Sequence, residues 1–445
     1  MKLHGTMRIN ELGHLEIGGY DTVELARNFG TPLYVMDEAE IRRVCREYRA
    51  AFTDGFGAEV IYASKAFMNL AMCRVIEEEG LSLDVVSGGE LYTAIKARFP
   101  ASRIYFHGNN KQPQELRMAL EYRVGRIVVD NFHEMTLLND LAGQMGVRAQ
   151  VLLRLTPGVE AHTHEYIRTG QIDSKFGFTV PNGQAMEAVK SCLTLPHLEF
   201  KGIHCHIGSQ VFDMSSFNHA AKVMMEVIKD IREQAGIAVE ELNLGGGFGI
   251  YYVEGDQPAT IAEYAQAVTS AVKEMVAKHQ LNIPKIMIEP GRSIVGEAGT
   301  TLYTVGSIKE IPGIRKYVAV DGGMADNPRP ALYQARYEAV VANRAAEPAV
   351  ETVSITGKCC ESGDMLIWDI NLPQVKSGDI IAVFCTGAYN YTMSMNYNRL
   401  GRPAVVLVND GRADVIVERE SYEDLLRNDR LPERLRVGQK IKLVQ

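Results

Sequence analysis

Cysteine and tryptophan are scarce in this 445-residue sequence, which has seven cysteines and one tryptophan. A sparse, odd-numbered set of cysteines does not form a disulfide framework, so we expect a reducing compartment, the cytoplasm. No apolar run is long enough to span a bilayer, and the first 14 residues lack the apolar core of a signal peptide. Basic residues are in deficit, because 47 Lys and Arg against 55 Asp and Glu give a net charge of −8. Such an acidic chain is a poor candidate for binding nucleic acid or an anionic membrane.

Short apolar, β-branched segments alternate with amphipathic helical segments through the middle of the chain. The strand-like segments are residues 60–65, 83–87, 104–108, 127–131, 150–155, 201–206, 242–247 and 286–291. Helical periodicity is clearest at residues 133–146 and 215–236. Eight such units over roughly 250 residues predict an α/β fold of the (β/α)8 barrel type. A doubly wound open sheet, the alternative, normally has a GxGxxG turn after its first strand, and that turn is absent.

The pattern changes near residue 300, where strand-like runs become dominant. These runs are residues 301–311, 316–321, 351–357, 379–384 and 404–419, the last with an Asn-Asp-Gly hairpin turn at 409–411. The first 35 residues are also strand-like. We therefore predict a barrel over residues 36–300 and a second, β-rich domain, a β-barrel or sandwich, from residues 1–35 and 301–445.

Polar residues and glycines follow the predicted barrel strands, at the end where such barrels carry their active sites. They are Lys65, Ser87, Gly88, Gly89, His107, Asn131, Arg154, His206, Gly245, Gly246, Gly247 and Glu289. Loops are polar in general, which accounts for any one of these residues more easily than for all of them. The pattern favours an active site at this end of the barrel.

Lys65 ends the first predicted strand. Most lysines are solvated surface residues, but a desolvated lysine at a barrel mouth can form a Schiff base, most commonly with pyridoxal phosphate. That cofactor needs a phosphate site, and a glycine run after strand seven is placed for one, although a plain tight turn is the alternative. It also needs a carboxylate to keep its ring nitrogen protonated, which Glu289 after strand eight can supply.

His204 and His206 lie on the same face of the sixth predicted strand. An HxH pair on a barrel strand can also bind a metal, but that requires further ligands at other strand ends beyond His107. We therefore expect no metal site. A ring-stacking role for His206 and a phosphate-binding role for Ser209 fit the other parts of the site better.

Together these residues resemble the alanine-racemase-like, fold-type III family of pyridoxal-phosphate decarboxylases, over about residues 31–407. The matching segments are residues 62–66 (YASKA), 84–91 (DVVSGGEL), 107–111 (HGNNK), 204–210 (HCHIGSQ), 245–249 (GGGFG) and 289–292 (EPGR). Further segments resemble its diaminopimelate branch: 164–170 (HEYIRTG), 174–177 (SKFG), 360–364 (CESGD), 387–389 (GAY) and 396–398 (NYN). So many ordered motifs make chance similarity very improbable.

The resemblance implies a role for each cofactor-site residue. Lys65 would hold the cofactor covalently, His206 would stack on its ring and Glu289 would pair with the ring nitrogen. The phosphate would be bound by Ser209, Gly245, Gly246, Gly247 and Tyr389, with Gly291 and Arg292 nearby.

The resemblance also implies how the amino-acid substrate is bound. Arg329 and Tyr333 would hold its distal end, next to Arg292 and Tyr389. Glu361 would bind its distal ammonium group, and Cys360 would donate a proton. In the family these last two residues reach the barrel of the other subunit, so the resemblance implies a homodimer with shared active sites.

The implied reaction removes CO2 from the D-configured carbon of meso-2,6-diaminopimelate and forms L-lysine, the last step of lysine biosynthesis. The chain departs from the family pattern at Cys359, a second thiol beside Cys360, and at Asn390 and Tyr391, where a small residue is more common.

Two alternatives stay open. The first is a related decarboxylase of ornithine, arginine or carboxynorspermidine, which would want an acidic residue in place of Arg329; a racemase is disfavoured because it would avoid a fully protonated ring nitrogen. The second is a non-catalytic binding protein on the same fold. Lys65, Cys360 and the β-rich region, all retained here, argue against that second alternative.

Overall fold

A computed structural model describes residues 2–159 and 173–436 of the chain. The motif at residues 164–170, part of the resemblance to the diaminopimelate branch, therefore lies outside the described residues.

The chain begins with small elements that precede the barrel. They are β1 (Arg8–Ile9), β2 (Leu15–Ile17), β3 (Tyr20–Asp21), α1 (Thr22–Phe29), β4 (Leu33–Asp37) and α2 (Glu38–Tyr48), with β1 to β3 forming an antiparallel sheet. Both helices start at an aspartate, because the side chains of Asp21 and Asp37 accept hydrogen bonds from backbone N–H groups of the first turn.

Eight parallel strands then form a closed barrel, as predicted. The strands of this region are β5 (Glu59–Ala63), β6 (Ser82–Val85), β7 (Ile104–Phe106), β8 (Arg126–Val129), β9 (Ala149–Thr156), β10 (Phe178–Thr179), β11 (Leu198–His204), β12 (Glu241–Asn243) and β13 (Lys285–Ile288). The short β10 pairs only with β9 and is not one of the eight. The barrel closes where β13 pairs with β5, with Met287 opposite Glu59.

Helices cover the outside of this barrel. They are α3 (Leu70–Glu78), α4 (Gly88–Lys96), α5 (Pro113–Tyr122), α6 (Phe132–Gln144), α7 (Gln184–Thr194), α8 (Met214–Ala235), α9 (Ile261–His279) and the short α10 (Arg292–Val295). Ser87 and Asn131 are the N-caps of α4 and α6, since their side chains accept backbone N–H groups of the first turn. Their position after a strand thus has a structural explanation.

Successive side chains along a barrel strand point alternately into the barrel and towards the helices. The strands therefore lie between two apolar cores. Five buried side chains, one from each of β5, β7, β8, β9 and β13, form a small interior cluster: Ile61, Tyr105, Val128, Leu152 and Met287. Their neighbours along the strands, such as Val60 and Tyr62, belong to the large core that also contains the inner faces of the helices. The interior is therefore packed with side chains, and the free space lies at the barrel mouth.

The remaining elements are the strands of a second, mostly antiparallel sheet and two short helices. They are β14 (Gly299–Ile311), β15 (Arg315–Val320), α11 (Arg329–Tyr333), β16 (Ala339–Val341), β17 (Glu351–Thr356), β18 (Met365–Leu372), β19 (Ile380–Val383), β20 (Ala404–Asn409), β21 (Arg412–Val417) and α12 (Tyr422–Leu426). The predicted hairpin is confirmed, because Asn409 pairs with Arg412. From the N-terminal segment, β4 lies between β14 and β20 in this sheet. The exact division into domains stays a prediction, since β4 extends across residue 35 and β14 begins at Gly299.

The first barrel strand ends earlier than predicted. β5 stops at Ala63, and Lys65 lies in a single 3-10 turn, Ser64–Ala66. The Tyr62 hydroxyl donates to the carbonyl of Phe67 (2.8 Å) across this turn. The turn projects the lysine from the rim of the barrel. Among the described residues, no helix combines the length and apolar character needed to cross a membrane.

Candidate active site

The C-terminal ends of the barrel strands open into a cavity of about 710 Å³. Eight of the residues predicted for the site line it: Lys65, His206, Ser209, Glu289, Arg292, Arg329, Tyr333 and Tyr389. The Lys65 side chain is exposed in the single chain. The cavity therefore brings residues from the barrel and from the β-rich region around the amine of Lys65.

A second, smaller cavity of about 50 Å³ lies beside Lys65 and is lined by Gly246, Gly247 and Gly291, with Ser209, Arg292 and Tyr389. A Cβ atom on Gly246 would lie 2.0 Å from the carbonyl oxygen of Glu289, and Gly247 has φ +113°. Only glycine fits at these two positions, because of the close backbone approach and the positive φ. Among the described residues Gly245 lines neither cavity, and its N–H donates to Asn243 Oδ1 (2.9 Å).

Glu289 is the centre of a buried polar cluster at the base of the large cavity. Asn243 Nδ2 donates to its Oε1 (2.7 Å), His107 Nε2 lies 2.8 Å from the same oxygen, and His204 Nε2 lies 3.2 Å from Oε2. Burial by itself raises the pKa of Glu289, but the two histidines outweigh burial and hold the pKa well below its ordinary value. The carboxylate is therefore ionised and fixed in orientation.

The neighbours of Glu289 differ in charge. Burial lowers the pKa of His204 to about 4, so its imidazole is neutral. Burial also acts to lower the pKa of His107, but Asp84 and Glu289 outweigh it and raise that pKa. Burial raises the pKa of Asp84 to about 7. Ligand atoms of His107, His204 and Glu289 lie within 4.8 Å of one another, which suits a cation chemically, and the absence of a metal stays a prediction.

His206 is held as a neutral ring on the other side of the cavity. Its Nδ1 accepts the N–H of Gly246 (3.2 Å), so a ring proton belongs on Nε2. Burial lowers its pKa well below the ordinary value, and the nearby cations Lys65 and Arg154 add to this effect. A neutral imidazole so fixed can stack on a planar ligand ring.

Two arginines share a tyrosine hydroxyl in the site: Arg292, which lines both cavities, and Arg329, which lines the large one. Arg292 Nη2 donates to Ser209 Oγ (2.9 Å), and its Nη1 donates to the Tyr252 hydroxyl (2.6 Å). Arg329 Nη1 donates to the same hydroxyl (3.3 Å) and to that of Tyr337 (2.5 Å). Arg329 is only 7% exposed, so these hydrogen bonds are made by a buried guanidinium.

Cys360 and Glu361 are exposed, on the turn between β17 and β18, and neither lines the large or the small cavity of its own chain. The Cys360 N–H donates to Asn398 Oδ1 (2.7 Å). The second thiol differs, because Cys359 is buried and its N–H donates to Asp364 Oδ2 (2.8 Å). Burial raises the pKa of Cys359 to about 12, so its departure from the family pattern adds no reactive thiolate.

Sequence reasoning missed three polar residues that hydrogen-bond to predicted site residues: Asn243, Tyr252 and Tyr337. Asn243 stands two residues before the glycine run, and Tyr252 stands five residues after it. A polar residue inside an apolar strand and a tyrosine beside a phosphate-type loop are the signals that could have found these two. Tyr337 carries no such signal, since its role depends on Arg329 eight residues earlier.

The donor set fits pyridoxal phosphate. The site offers a free amine, a buried ionised carboxylate with an oxygen that still has acceptor capacity, a neutral ring, and a small glycine-lined cavity with an arginine. The buried Nε of Arg292 has no hydrogen-bond partner among the described residues, so this guanidinium can still receive an anion.

Comparisons with known proteins agree with this chemistry. The family model "pyridoxal-dependent decarboxylase, pyridoxal binding domain" matches residues 38–296. The diaminopimelate decarboxylase of Bacillus subtilis is 60% identical over 430 residues, which cover 96% of this chain and 98% of that protein. The solved diaminopimelate decarboxylase of M. jannaschii in complex with L-lysine superposes with a TM-score of 0.91 at 39% identity, over 98% of this chain and 100% of that one.

A lysine/ornithine decarboxylase from Vibrio vulnificus superposes with a TM-score of 0.75 at 23% identity, over 87% of this chain and 98% of that one, a likeness of fold alone. Cofactor class, fold and sequence therefore agree, and the chain belongs to the diaminopimelate decarboxylase family of pyridoxal-phosphate-dependent carboxy-lyases.

Proposed function

We propose that this protein decarboxylates meso-2,6-diaminopimelate to L-lysine and CO2, the last step of lysine biosynthesis. One observation carries the choice of substrate: a buried guanidinium, that of Arg329, lines the same cavity as Lys65. A guanidinium grips a carboxylate with two parallel hydrogen bonds, and the substrate has a second carboxylate at the end that does not react. The substrate of a diamine-forming decarboxylase ends in a cation, and Arg329 would repel that end.

Pyridoxal phosphate, when bound, supplies a sink for the electron pair that departing CO2 leaves behind. The protein's residues hold that sink and set its charge. Glu289, kept ionised by its histidine neighbours, would pair with the ring nitrogen and keep it protonated. Lys65 would supply the amine that binds the cofactor, and His206 would cover one face of its ring. Ser209, Gly246, Gly247, Gly291, Arg292 and Tyr389 line the small cavity assigned to the phosphate, and Gly245 begins the glycine run beside it.

The substrate's distal end is assigned to Arg329 and Tyr333 for the carboxylate and to Glu361 for the ammonium group. The bond from the reacting carbon to its carboxylate breaks, CO2 leaves, and the electron pair of that bond stays on the substrate side, where the cofactor would delocalise it. The Sγ–H proton of Cys360 then goes to that carbon, and the thiolate regains a proton from solvent.

We further propose a homodimer in which each site takes Cys360 and Glu361 from the partner. Two facts support it: both residues are exposed and outside the large and small cavities of their own chain, and Lys65 is exposed at an open rim. A second chain over that rim would supply the missing acid and exclude water. Excluding water protects the reacting carbon from premature protonation by solvent.

We propose the cytoplasm as the place of action. All seven cysteines lie within the described residues and all are free, which suits a reducing compartment.

An activity screen tests the function. Purified protein with pyridoxal phosphate is incubated with meso-diaminopimelate, L-lysine, L-ornithine or L-arginine, and CO2 and amine products are measured. We expect CO2 and L-lysine from meso-diaminopimelate, and efficiencies lower by at least a hundredfold on the other three. Comparable activity on L-ornithine or L-arginine would favour the related decarboxylases, and no activity on any substrate would favour a binding protein. Lys65→Ala is the matched inactive control.

A further inference from the structure

One phenol hydroxyl lies between two buried guanidinium groups. The Tyr252 hydroxyl accepts from Arg292 Nη1 (2.6 Å) and from Arg329 Nη1 (3.3 Å). All three side chains are buried, with 7% of Tyr252, 6% of Arg292 and 7% of Arg329 exposed. A hydroxyl oxygen has two acceptor lone pairs, so it can serve both donors at once.

Two like charges buried together need such a partner. Within residues 2–159 and 173–436, neither Arg292 nor Arg329 forms a salt bridge with a carboxylate. A buried charge without hydrogen bonds is costly, and two guanidinium groups repel each other. The shared hydroxyl offsets part of this cost and fixes the distance and relative orientation of the two guanidinium groups.

The hydrogen bonds continue on both sides of Tyr252. Arg292 reaches Ser209 Oγ (2.9 Å) at the small cavity, and Arg329 reaches the Tyr337 hydroxyl (2.5 Å). The Tyr337 hydroxyl contacts Asn390 Oδ1 (3.5 Å), which gives a structural role to a residue that departs from the family pattern. The rings of Tyr252 and Tyr337 also pack edge to face, 5.6 Å between centroids.

Arg329 makes both of its tyrosine hydrogen bonds through Nη1, so another edge of its guanidinium stays available for a ligand. The two N–H donors of Nη1 can serve Tyr252 and Tyr337, and among the described residues the side chain makes no hydrogen bond through Nε or Nη2. Nε and Nη2 form one of the two-donor edges that match a carboxylate.

We propose that Tyr252 is a positioning residue. Its hydroxyl presents this edge of Arg329 to the distal carboxylate of the substrate and links Arg329 to Arg292 at the small cavity. The inference rests on the proposed function, since it needs a substrate with that second carboxylate. Tyr252 itself makes no contact with reacting atoms. Its hydroxyl should therefore affect substrate binding much more than turnover.

The test is Tyr252→Phe, with Tyr251→Phe as the matched control. The Tyr251 hydroxyl also bonds a charged group, since it donates to Glu338 Oε1 (2.8 Å), but Tyr251 does not line the cavity. Because the lost bond is to a charged group, Tyr252→Phe should raise KM for meso-diaminopimelate by about ten- to a hundredfold and leave kcat within about threefold. Tyr251→Phe should leave both values within about twofold of the unmodified enzyme.

Inhibition constants give a second measure of binding, because the inhibitor binds without being turned over. The product L-lysine keeps the distal carboxylate, whereas 1,5-diaminopentane lacks it. In Tyr252→Phe, the inhibition constant of L-lysine should rise in parallel with KM, and that of the diamine should stay unchanged. In an Arg329→Ala background, adding Tyr252→Phe should cost little more, because the two residues act as one unit.

The outcomes separate this inference from the function on which it rests. An active enzyme that is impaired by Arg329→Ala but has an unchanged KM in Tyr252→Phe overturns the positioning role. Equal weakening of L-lysine and the diamine overturns it too, as does an unfolding temperature far below that of Tyr251→Phe, since either result indicates general disruption. An enzyme inactive on meso-diaminopimelate, or one indifferent to Arg329→Ala, overturns the proposed function instead.

Discussion

Asn243 donates its side-chain amide to Glu289 at 2.7 Å and accepts the N–H of Gly245 at 2.9 Å. Asn243 ends β12, and Glu289 directly follows β13, the strand that pairs with β12. Asn243 is fully buried, so both hydrogen bonds are made away from water, where an unpaired amide would be costly. One amide thus orients the carboxylate assigned to the cofactor's ring and the first turn of the glycine run assigned to its phosphate.

Lys65 should be the residue that carries the cofactor. The purified protein should absorb visible light, and borohydride reduction should attach the cofactor covalently to Lys65, because its amine is free at the rim of a cavity that fits pyridoxal phosphate. Peptide mapping after reduction identifies the labelled residue. The buried Lys111, whose Nζ donates to Glu134 Oε1 (2.7 Å), should stay unlabelled. Label on another lysine, or full activity of Lys65→Ala, would refute the assignment.

The active sites should be shared between subunits. Lys65→Ala and Cys360→Ala homodimers should each lose nearly all activity. After subunit exchange between them, part of the activity should return, because one of the two sites in each hybrid dimer has both native residues. Specific activity is measured before and after mixing, with exchange followed by a tag on one subunit. Cys359→Ala, mixed in place of Cys360→Ala, is the control and should be active alone. Proven exchange without recovery would place the whole site in one chain.

Arg329 should determine substrate binding. Removing one partner of a buried charge-assisted pair costs about 2–5 kcal/mol. Arg329→Ala should therefore lower kcat/KM on meso-diaminopimelate by roughly a hundredfold or more, whereas the visible spectrum of the bound cofactor should stay the same. Steady-state kinetics measures this effect, with the exposed Arg412→Ala as control. Near-native efficiency would reopen the choice among the amino-acid decarboxylases.

Asp326 should make folding stability depend on pH. Burial raises the pKa of Asp326 to about 7 in the folded chain, although Tyr303 donates to its Oδ1 (2.6 Å). The folded state then holds this proton more tightly than the unfolded state, whose pKa is near 4, so the contribution of this group falls as pH rises from about 4 to 7. Asp326→Asn cannot lose a proton and keeps the oxygen that faces Tyr303.

The measurement for Asp326 is the difference in free energy of unfolding between Asp326→Asn and the unmodified protein, from denaturant titrations at pH 5 and pH 8. We expect the difference to shift in favour of the variant by a few kcal/mol at the higher pH. The exposed Asp414→Asn should show no such shift. A difference that stays constant with pH would contradict the raised pKa.

Much of this protein follows from local sequence pattern. The alternation that places Ile61 inside the barrel and Tyr62 outside it, the hairpin at 409–411, and the glycines that no other residue could replace all depend on residues close together in the chain. Periodicity and turn chemistry act over a few residues, which is why the barrel, the β-rich region and the ordered motifs of the site could be predicted from the sequence.

Only the tertiary structure decided which polar groups meet. Closure of the barrel brings His107, His204 and Asn243 to one carboxylate, and the packing of the β-rich region on the barrel rim brings Arg329 to the hydroxyl of Tyr252, 77 positions earlier. The energies of charge interactions and hydrogen bonds depend on distance in space, and burial strengthens these interactions because water is removed. No local pattern in the sequence encodes that a tyrosine after the glycine run will lie between two arginines, because that depends on where three separate segments end after the chain has folded.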